Sequence, residues 1–236
     1  MFSMVIEKEN IKNGDIHIYD KKDINHIVNV HRCNINDEIR VVDNEYEYIA
    51  KIFSISKKEI ILKIINKFEN KYSLNINIDA AISLIKNDKM NLIIQKLTEL
   101  GIRNIIPIKT KRVVVKINDS KEKWNDIVKE SMKQCQAVQK TNITPITTLN
   151  KIDLKAYDKV IYLYENSNSS KKITDIIDKN DKNILYVIGP EGGFDISEIE
   201  YLKSKNTYEI SLGPRILRAE TAAITVASII SHNYGY

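Results

Sequence analysis

Two apolar runs near the carboxyl end, residues 184–188 and 208–212, each break at a Gly-Pro pair, and each break leads into a helix-like segment. That repetition constrains the fold more than any other feature of the chain. Both runs have the length and the β-branched or aromatic content of buried strands. After the first turn, Ile188-Gly189-Pro190-Glu191-Gly192-Gly193-Phe194, either Asp195 or Ser197 can cap a helix carrying Ile199 and Leu202. After the second, Leu212-Gly213-Pro214-Arg215-Ile216-Leu217-Arg218-Ala219-Glu220-Thr221-Ala222, the apolar stretch 219–231 predicts a long helix. The chain has 7 glycines, and only Gly14 and Gly101 precede Gly189. Glycine permits positive φ and lets a ligand or another backbone approach without a Cβ in the way. A lone Gly-Pro is ordinarily a surface turn. Two of them at strand ends, each before a helix, favour a binding site, because open α/β sheets bind ligands beyond the carboxyl ends of their strands.

Upstream, the pattern divides. Residues 1–70 predict a small β-rich unit, a compact barrel with one helix. Its short β-prone runs are 38–42, 46–55 and 59–65, and residues 23–32 read as the helix, with Asp23 as a possible cap. The polar stretch 67–73 predicts a linker. From there to residue 236 strands and helices alternate, which predicts a mainly parallel α/β sheet in a second domain, 74–236. Residues 76–85 read as a strand, and 88–100 as a helix whose apolar face holds Leu92, Ile93, Leu97 and Leu100, closed by Gly101. Residues 104–108 form the next predicted strand and 120–139 a long polar helix. A strand at 159–164 and a short helix at 171–177 complete the series.

Composition narrows the chemistry. Hydrophobic and charged contents of 43% and 28% are those of a globular protein. No apolar run is long enough to span a bilayer, the start lacks signal-peptide features, and Cys33 and Cys135 fit no disulfide or metal spacing. A cytoplasmic protein without a membrane partner is the expectation. The formal charge is +5, and the whole excess lies within residues 73–150, notably Lys109, Lys111, Arg112 and Lys116. Such a patch suits RNA phosphates, although the chain is rich in Lys, Asn and Ile throughout. The turns end in no Gly-Lys-Ser/Thr, spell no dinucleotide fingerprint, hold no serine elbow and carry no metal-ligand cluster. The four histidines, His17, His26, His31 and His232, lie elsewhere. What remains is main-chain recognition of a neutral heterocycle between walls such as Ile188, Leu212, Ile216 and Leu217.

The segments 189–194 and 212–222 resemble the two C-terminal motifs of the RsmE family in the SPOUT superfamily. These are small-subunit (16S) ribosomal RNA uridine N3 methyltransferases that use S-adenosylmethionine. The stretch 89–107, with Gln95-Lys96-Leu97-Thr98-Glu99-Leu100-Gly101, resembles a further motif, although an amphipathic core helix accounts for its apolar positions. The N-terminal unit resembles the family's PUA-like RNA-binding domain, with His26, Val30 and Arg32 matching a His-x-x-x-Val-x-Arg-like segment. Both charged residues read equally as solvated helix positions. One departure falls at Cys135-Gln136-Ala137-Val138-Gln139-Lys140, where the family follows its glutamine with arginine and proline; this chain has Lys140 as the candidate substitute for the arginine and a late Pro145, which leaves an RNA contact at that loop open.

The resemblance implies a trefoil-knotted C-terminal domain, paired into a homodimer. It also implies a cofactor pocket of three loops: Leu163 and Tyr164; Ile188, Gly189, Pro190, Gly192 and Gly193; Leu212, Gly213, Ile216, Leu217 and Thr221. Methylating uracil N3 requires orienting two partners, removing a proton and stabilising charge on the carbonyls. Arg218 is the leading candidate for a carbonyl oxygen or phosphate, and Glu220 or Glu191 for the proton. The competing reading is that Arg218 and Glu220 form a structural pair at a helix start. Arg215, with Lys89 and Lys96 on one helix face, joins Lys109, Lys111, Arg112, His26 and Arg32 as an RNA-facing candidate.

Overall fold

The computed structural model of the 236-residue chain describes residues 2–71, 73–115, 122–167, 169 and 171–236. Lys116 and the expected helix start at Ser120 lie outside the described residues. The chain divides into two compact units, Met1–Ser73 with Met132–Gln139, and Leu74–Ser131 with Lys140–Tyr236.

The first unit is a six-stranded sheet in the order β1-β4-β5-β6-β3-β2. Its strands are β1 (Phe2–Val5), β2 (Ile11–Lys12), β3 (Asp15–Ile18), β4 (Glu38–Val42), β5 (Tyr46–Ile55) and β6 (Ile60–Glu69). The first three are too short to stand out by periodicity. Along β5, Tyr48, Ala50 and Ile52 are buried in alternation with more exposed neighbours, as a sheet with one covered face requires. Asn13 and Gly14, at φ 52° and 85°, turn β2 into β3; this is the Asn-Gly hairpin geometry. The helix begins earlier than its sequence suggests. Asp20, not Asp23, caps α1 (Lys21–Asn25), its Oδ1 accepting from the Lys22 and Asp23 amides at 2.8 and 3.1 Å. The chain then loosens into a π turn at His26–Val30. β6 runs into the polar stretch read as linker, because Lys67 pairs with Tyr48 and its ammonium lies 3.3 Å from the Tyr46 ring centre.

The second unit is built on β7 (Asn77–Ser83), β8 (Asn104–Lys109), β9 (Asn142–Ile143), β10 (Thr147–Thr148), β11 (Lys159–Leu163), β12 (Asn183–Ile188) and β13 (Tyr208–Ile210). They form one sheet ordered β10-β8-β7-β12-β11-β13, with β9 beside β8 and every pairing parallel. Ile78–Ile82 and Ile184–Ile188 are buried at every position, as expected of strands covered on both faces. α2 (Asn87–Glu99) buries Met90, Ile93, Ile94 and Leu97, and ends before Gly101 at φ 78°. α3 is Glu122–Cys135, α4 is Ile196–Lys203 and α5 is Ala219–Tyr234. α5 packs on α2, β7 and β12 within its own unit. The short helix expected at 171–177 is a single 3-10 turn, Ile173–Asp175. No helix among the described residues is long and apolar enough to cross a membrane.

One polar group inside this sheet is unsatisfied. The Tyr186 hydroxyl in β12 is buried without a hydrogen-bond partner among the described residues. Its burial also pushes the phenol well above its ordinary pKa. An orphaned buried hydroxyl costs about 1–3 kcal/mol. Tyr186→Phe is therefore expected to raise stability by about 1 kcal/mol, read as a higher urea midpoint at unchanged slope.

Candidate active site

Parallel pairing sets three strand ends side by side. Ile82 aligns with Ile188, Tyr162 with Val187 and Leu163 with Ile210, so β12, β11 and β13 finish at one edge of the sheet. Over that edge the loops that follow them enclose a cavity of about 660 Å³, within the range of small-molecule sites. Leu163 and Tyr164 reach it from β11. Ile188, Gly189, Pro190, Gly192 and Gly193 reach it from β12. Leu212, Gly213, Ile216 and Leu217 come from the turn after β13. Both Gly-Pro turns therefore meet in one place.

Two glycines are required there by geometry. Gly193 stands at φ 69°, and a Cβ on it would fall on the Glu165 carboxylate. Gly213 stands at φ 120°, a backbone setting that side chains rarely adopt. The first turn is closed by the Gly193 amide donating to the Pro190 carbonyl at 2.9 Å. It runs into α4 through a capping box: Asp195 Oδ1 accepts from the Ser197 amide at 3.2 Å, and Glu198 Oε2 from the Asp195 amide at 2.9 Å.

Part of the basic segment is spent on this turn. The Lys111 amide donates to Glu198 Oε1 at 2.9 Å, and its ammonium to Ser197 Oγ at 2.7 Å and Asp195 Oδ1 at 3.3 Å. Arg112 Nη1 donates to the Gly192 carbonyl at 3.2 Å. Lys109 is exposed at the end of β8. Val113–Val115, β-prone in sequence, forms no strand; Val114 is 83% exposed. Hydrogen bonds from Ser197, first its side chain and then its amide, together with Lys111, hold the Asp195 carboxyl down to about 2. Its contribution to α4 is therefore complete above the ordinary value of 3.8 and is lost as pH falls through about 2. A carbon-13 carboxyl titration should place the Asp195 midpoint near 2, moving up towards 3.8 in Ser197→Ala.

The charged groups of the cavity sort themselves differently from their order in sequence. Lys89, Glu191, Arg215 and Arg218 line it, whereas Glu220 and Thr221 do not. Lys89 Nζ donates to Glu191 Oε1 at 2.8 Å and lies 3.9 Å from Glu220 Oε1. The Glu191 hydrogen bond raises the Lys89 pKa, with burial acting the other way. Arg218 occupies the N-cap of α5 and forms no ion pair among the described residues, so Glu220 pairs with Lys89 rather than with Arg218. Glu165, Ser211 and Pro214 also line the cavity. Glu165 was missed by sequence reasoning, which saw only a polar residue after a strand; what marks it is Gly193, 28 positions away in sequence.

The remaining candidates lie elsewhere. Lys96, two helical turns from Lys89, is held by Glu99 at 2.9 and 3.0 Å. In the first unit, the His26 ring packs edge-on to Phe2 and His31 at centroid distances of 5.8 and 4.9 Å. Arg32 is exposed at φ 53°.

Residues 72–231 match a profile described as RNA methyltransferase domain, and residues 18–65 one described as RNA methyltransferase PUA domain. The Bacillus subtilis (strain 168) ribosomal RNA small subunit methyltransferase E is 32% identical over 240 residues, covering 96% of this chain and 94% of that one. Its Mesomycoplasma hyopneumoniae (strain 232) namesake is 32% identical over 222 residues, covering 91% and 93%. A Legionella pneumophila protein solved in complex with the bound cofactor SAM superposes with TM-score 0.84 at 25% identity, over 98% of this chain and 97% of that one. The fold is shared with the Neisseria gonorrhoeae ribosomal RNA small subunit methyltransferase E, at TM-score 0.86 and 24% identity over 100% and 98% of the two chains. With matches that run through both units at this identity, the chain belongs to the ribosomal RNA small subunit methyltransferase E family.

Proposed function

We propose that this chain is an S-adenosylmethionine-dependent methyltransferase acting on N3 of a uridine in small-subunit (16S) ribosomal RNA. The observation that carries the reading is the cavity formed where three strand ends and both glycine turns converge. The residues present fit the cofactor. Leu163, Ile188, Leu212 and Leu217 supply apolar walls for an adenine, and Gly213 leaves main chain exposed to it. Glu165 offers a carboxylate suited to hydroxyls or an ammonium. When bound, S-adenosylmethionine supplies a methyl on a cationic sulfonium that needs only an in-line nucleophile.

The chain's own side chains must do the rest. Uracil N3 becomes nucleophilic once its proton leaves, and the charge then spreads to the ring carbonyls. Arg218, exposed at the cavity rim, is the candidate to hold one of those oxygens, and Arg215 the candidate to hold the RNA backbone. Glu191 and Glu220 are the two carboxylates within reach of Lys89. In this reading residues 1–70 are a PUA-like domain that docks RNA, with His26 and Arg32 on it, and residues 74–236 form the methyltransferase domain.

A trefoil knot at the carboxyl end belongs to the same reading, supported by β12 lying between β7 and β11 while β13 flanks the far side of β11. Unfolding the chain with optical tweezers should leave a contour shorter than an unknotted chain of 236 residues would give. Pairing into a homodimer is supported by apolar side chains left open, Ile196 at 64% and Ile216 at 81% exposure. Mass spectrometry of small-subunit ribosomal RNA from cells lacking the protein tests the function. One uridine should lack a methyl, and protein with S-adenosylmethionine should restore it; RNA binding without restoration would instead show a non-catalytic assembly factor.

A further inference from the structure

We propose that Glu191 takes the uracil N3 proton and that Lys89 is the positioning residue that holds it at the cavity, anchored from behind by Glu220. The inference rests on the methyl-transfer reading above and divides two carboxylates that sequence leaves equivalent. Glu191 lines the cavity and Glu220 does not. The Glu220 side chain is 12% exposed against 29% for Glu191, and its Oε2 is buried without a partner among the described residues. An oxygen shut off in this way cannot receive a proton from a base in the cavity. Glu191 can: Oε1 accepts from Lys89 at 2.8 Å, and Oε2 has no hydrogen-bond partner among the described residues.

Glu220 has a different use. When the N3–H bond breaks, its electron pair stays on the ring and the proton passes to Glu191 Oε2. Glu191 is then neutral and the Lys89 ammonium has lost its nearest counter-charge. Glu220 Oε1 lies 3.9 Å away, and its neighbour Oε2 has no donor among the described residues. A small movement of a flexible lysine exchanges one carboxylate for the other, so the positive charge is never left unpaired. The third charged side chain facing this group is Arg218, at the start of the helix that carries Glu220. Lys89 comes from the first turn of α2 and so ties the two C-terminal motifs to a helix far from both in sequence.

The test compares Glu191→Gln, Glu220→Gln, Lys89→Met, Lys89→Arg and the double variant Lys89→Met/Glu191→Gln on unmodified small-subunit RNA. Single-turnover rates at saturating RNA and S-adenosylmethionine are measured beside the cofactor Kd by calorimetry and the thermal midpoint. Glu191→Gln should lower the rate about 10²–10⁴-fold. Lys89→Met should lower it about 10–100-fold, with little added loss in the double variant because the two act as a unit. Lys89→Arg should recover most of the rate, and the cofactor Kd should stay within about threefold of wild type throughout. A Glu191→Gln rate within twofold of wild type overturns the inference, as does a larger loss in Glu220→Gln. Penalties that multiply in the double variant, or a Lys89→Met rate within twofold of wild type at saturating RNA, overturn it too. Wild-type inactivity would overturn the methyl-transfer reading itself, whereas an active wild type with an unimpaired Glu191→Gln removes this inference alone.

Discussion

Arg218→Ala is expected to lower the methyl-transfer rate about 10²–10³-fold while leaving the S-adenosylmethionine Kd within about threefold. The charge to be stabilised develops on a uracil carbonyl only as the N3 proton leaves, so its partner acts on the transition state rather than on cofactor binding. Arg218 suits that task because its guanidinium lines the cavity, is exposed and is committed to no carboxylate among the described residues. The competing reading, a structural Arg218–Glu220 pair, predicts a fall in the thermal midpoint on substitution. Glu220 instead pairs with Lys89, so the midpoint of Arg218→Ala should stay at the wild-type value. Single-turnover kinetics and calorimetry on one preparation check both halves. A rate within fivefold of wild type would remove Arg218 from the reaction.

The second large effect is a backbone one. Gly213→Val should weaken S-adenosylmethionine binding by about 30-fold or more, because a φ of 120° is open essentially to glycine alone. Among the described residues nothing lies within 4 Å of the added Cβ, so the cost is conformational rather than steric. Relief requires the turn to change shape, and Leu212 and Leu217 on either side of it are cavity walls. About 2 kcal/mol of strain corresponds to about 30-fold in affinity. Gly14→Val is the control. It also stands at positive φ, 85°, with nothing among the described residues within 4 Å of an added Cβ, but in the β2–β3 hairpin of the first unit. It should lower the thermal midpoint and leave cofactor affinity unchanged. Equal cofactor binding by Gly213→Val and wild type would show that the turn does not shape the pocket.

Much of this molecule was legible residue by residue. The runs at 184–188 and 104–108 became β12 and β8, and Asp195 caps α4 as one of two candidates. Burial on both faces explains why those strands read as unbroken apolar runs. Failures occurred where a local signal needs a distant partner. Phe2–Val5 becomes a strand by pairing with Glu38–Val42, which four residues cannot announce. Val113–Val115 has strand propensity but pairs with no strand among the described residues, and propensity without a partner makes no ladder. The expected run 208–212 shortens to Tyr208–Ile210, because beyond Ile210 the chain leaves β11 to build the turn around Gly213.

By itself the sequence determined the alternation of strands and helices and the positions where only glycine would serve, because side-chain period and allowed φ are properties of a few adjacent residues. Tertiary structure alone decided that three strand ends share one edge, and that Lys111 and Arg112 hold a turn instead of standing free. It also set Lys89 against Glu191 across a separation of 102 residues. Such contacts are fixed by which strands pair and in what register, a choice made by packing the whole sheet and written in no single stretch of chain.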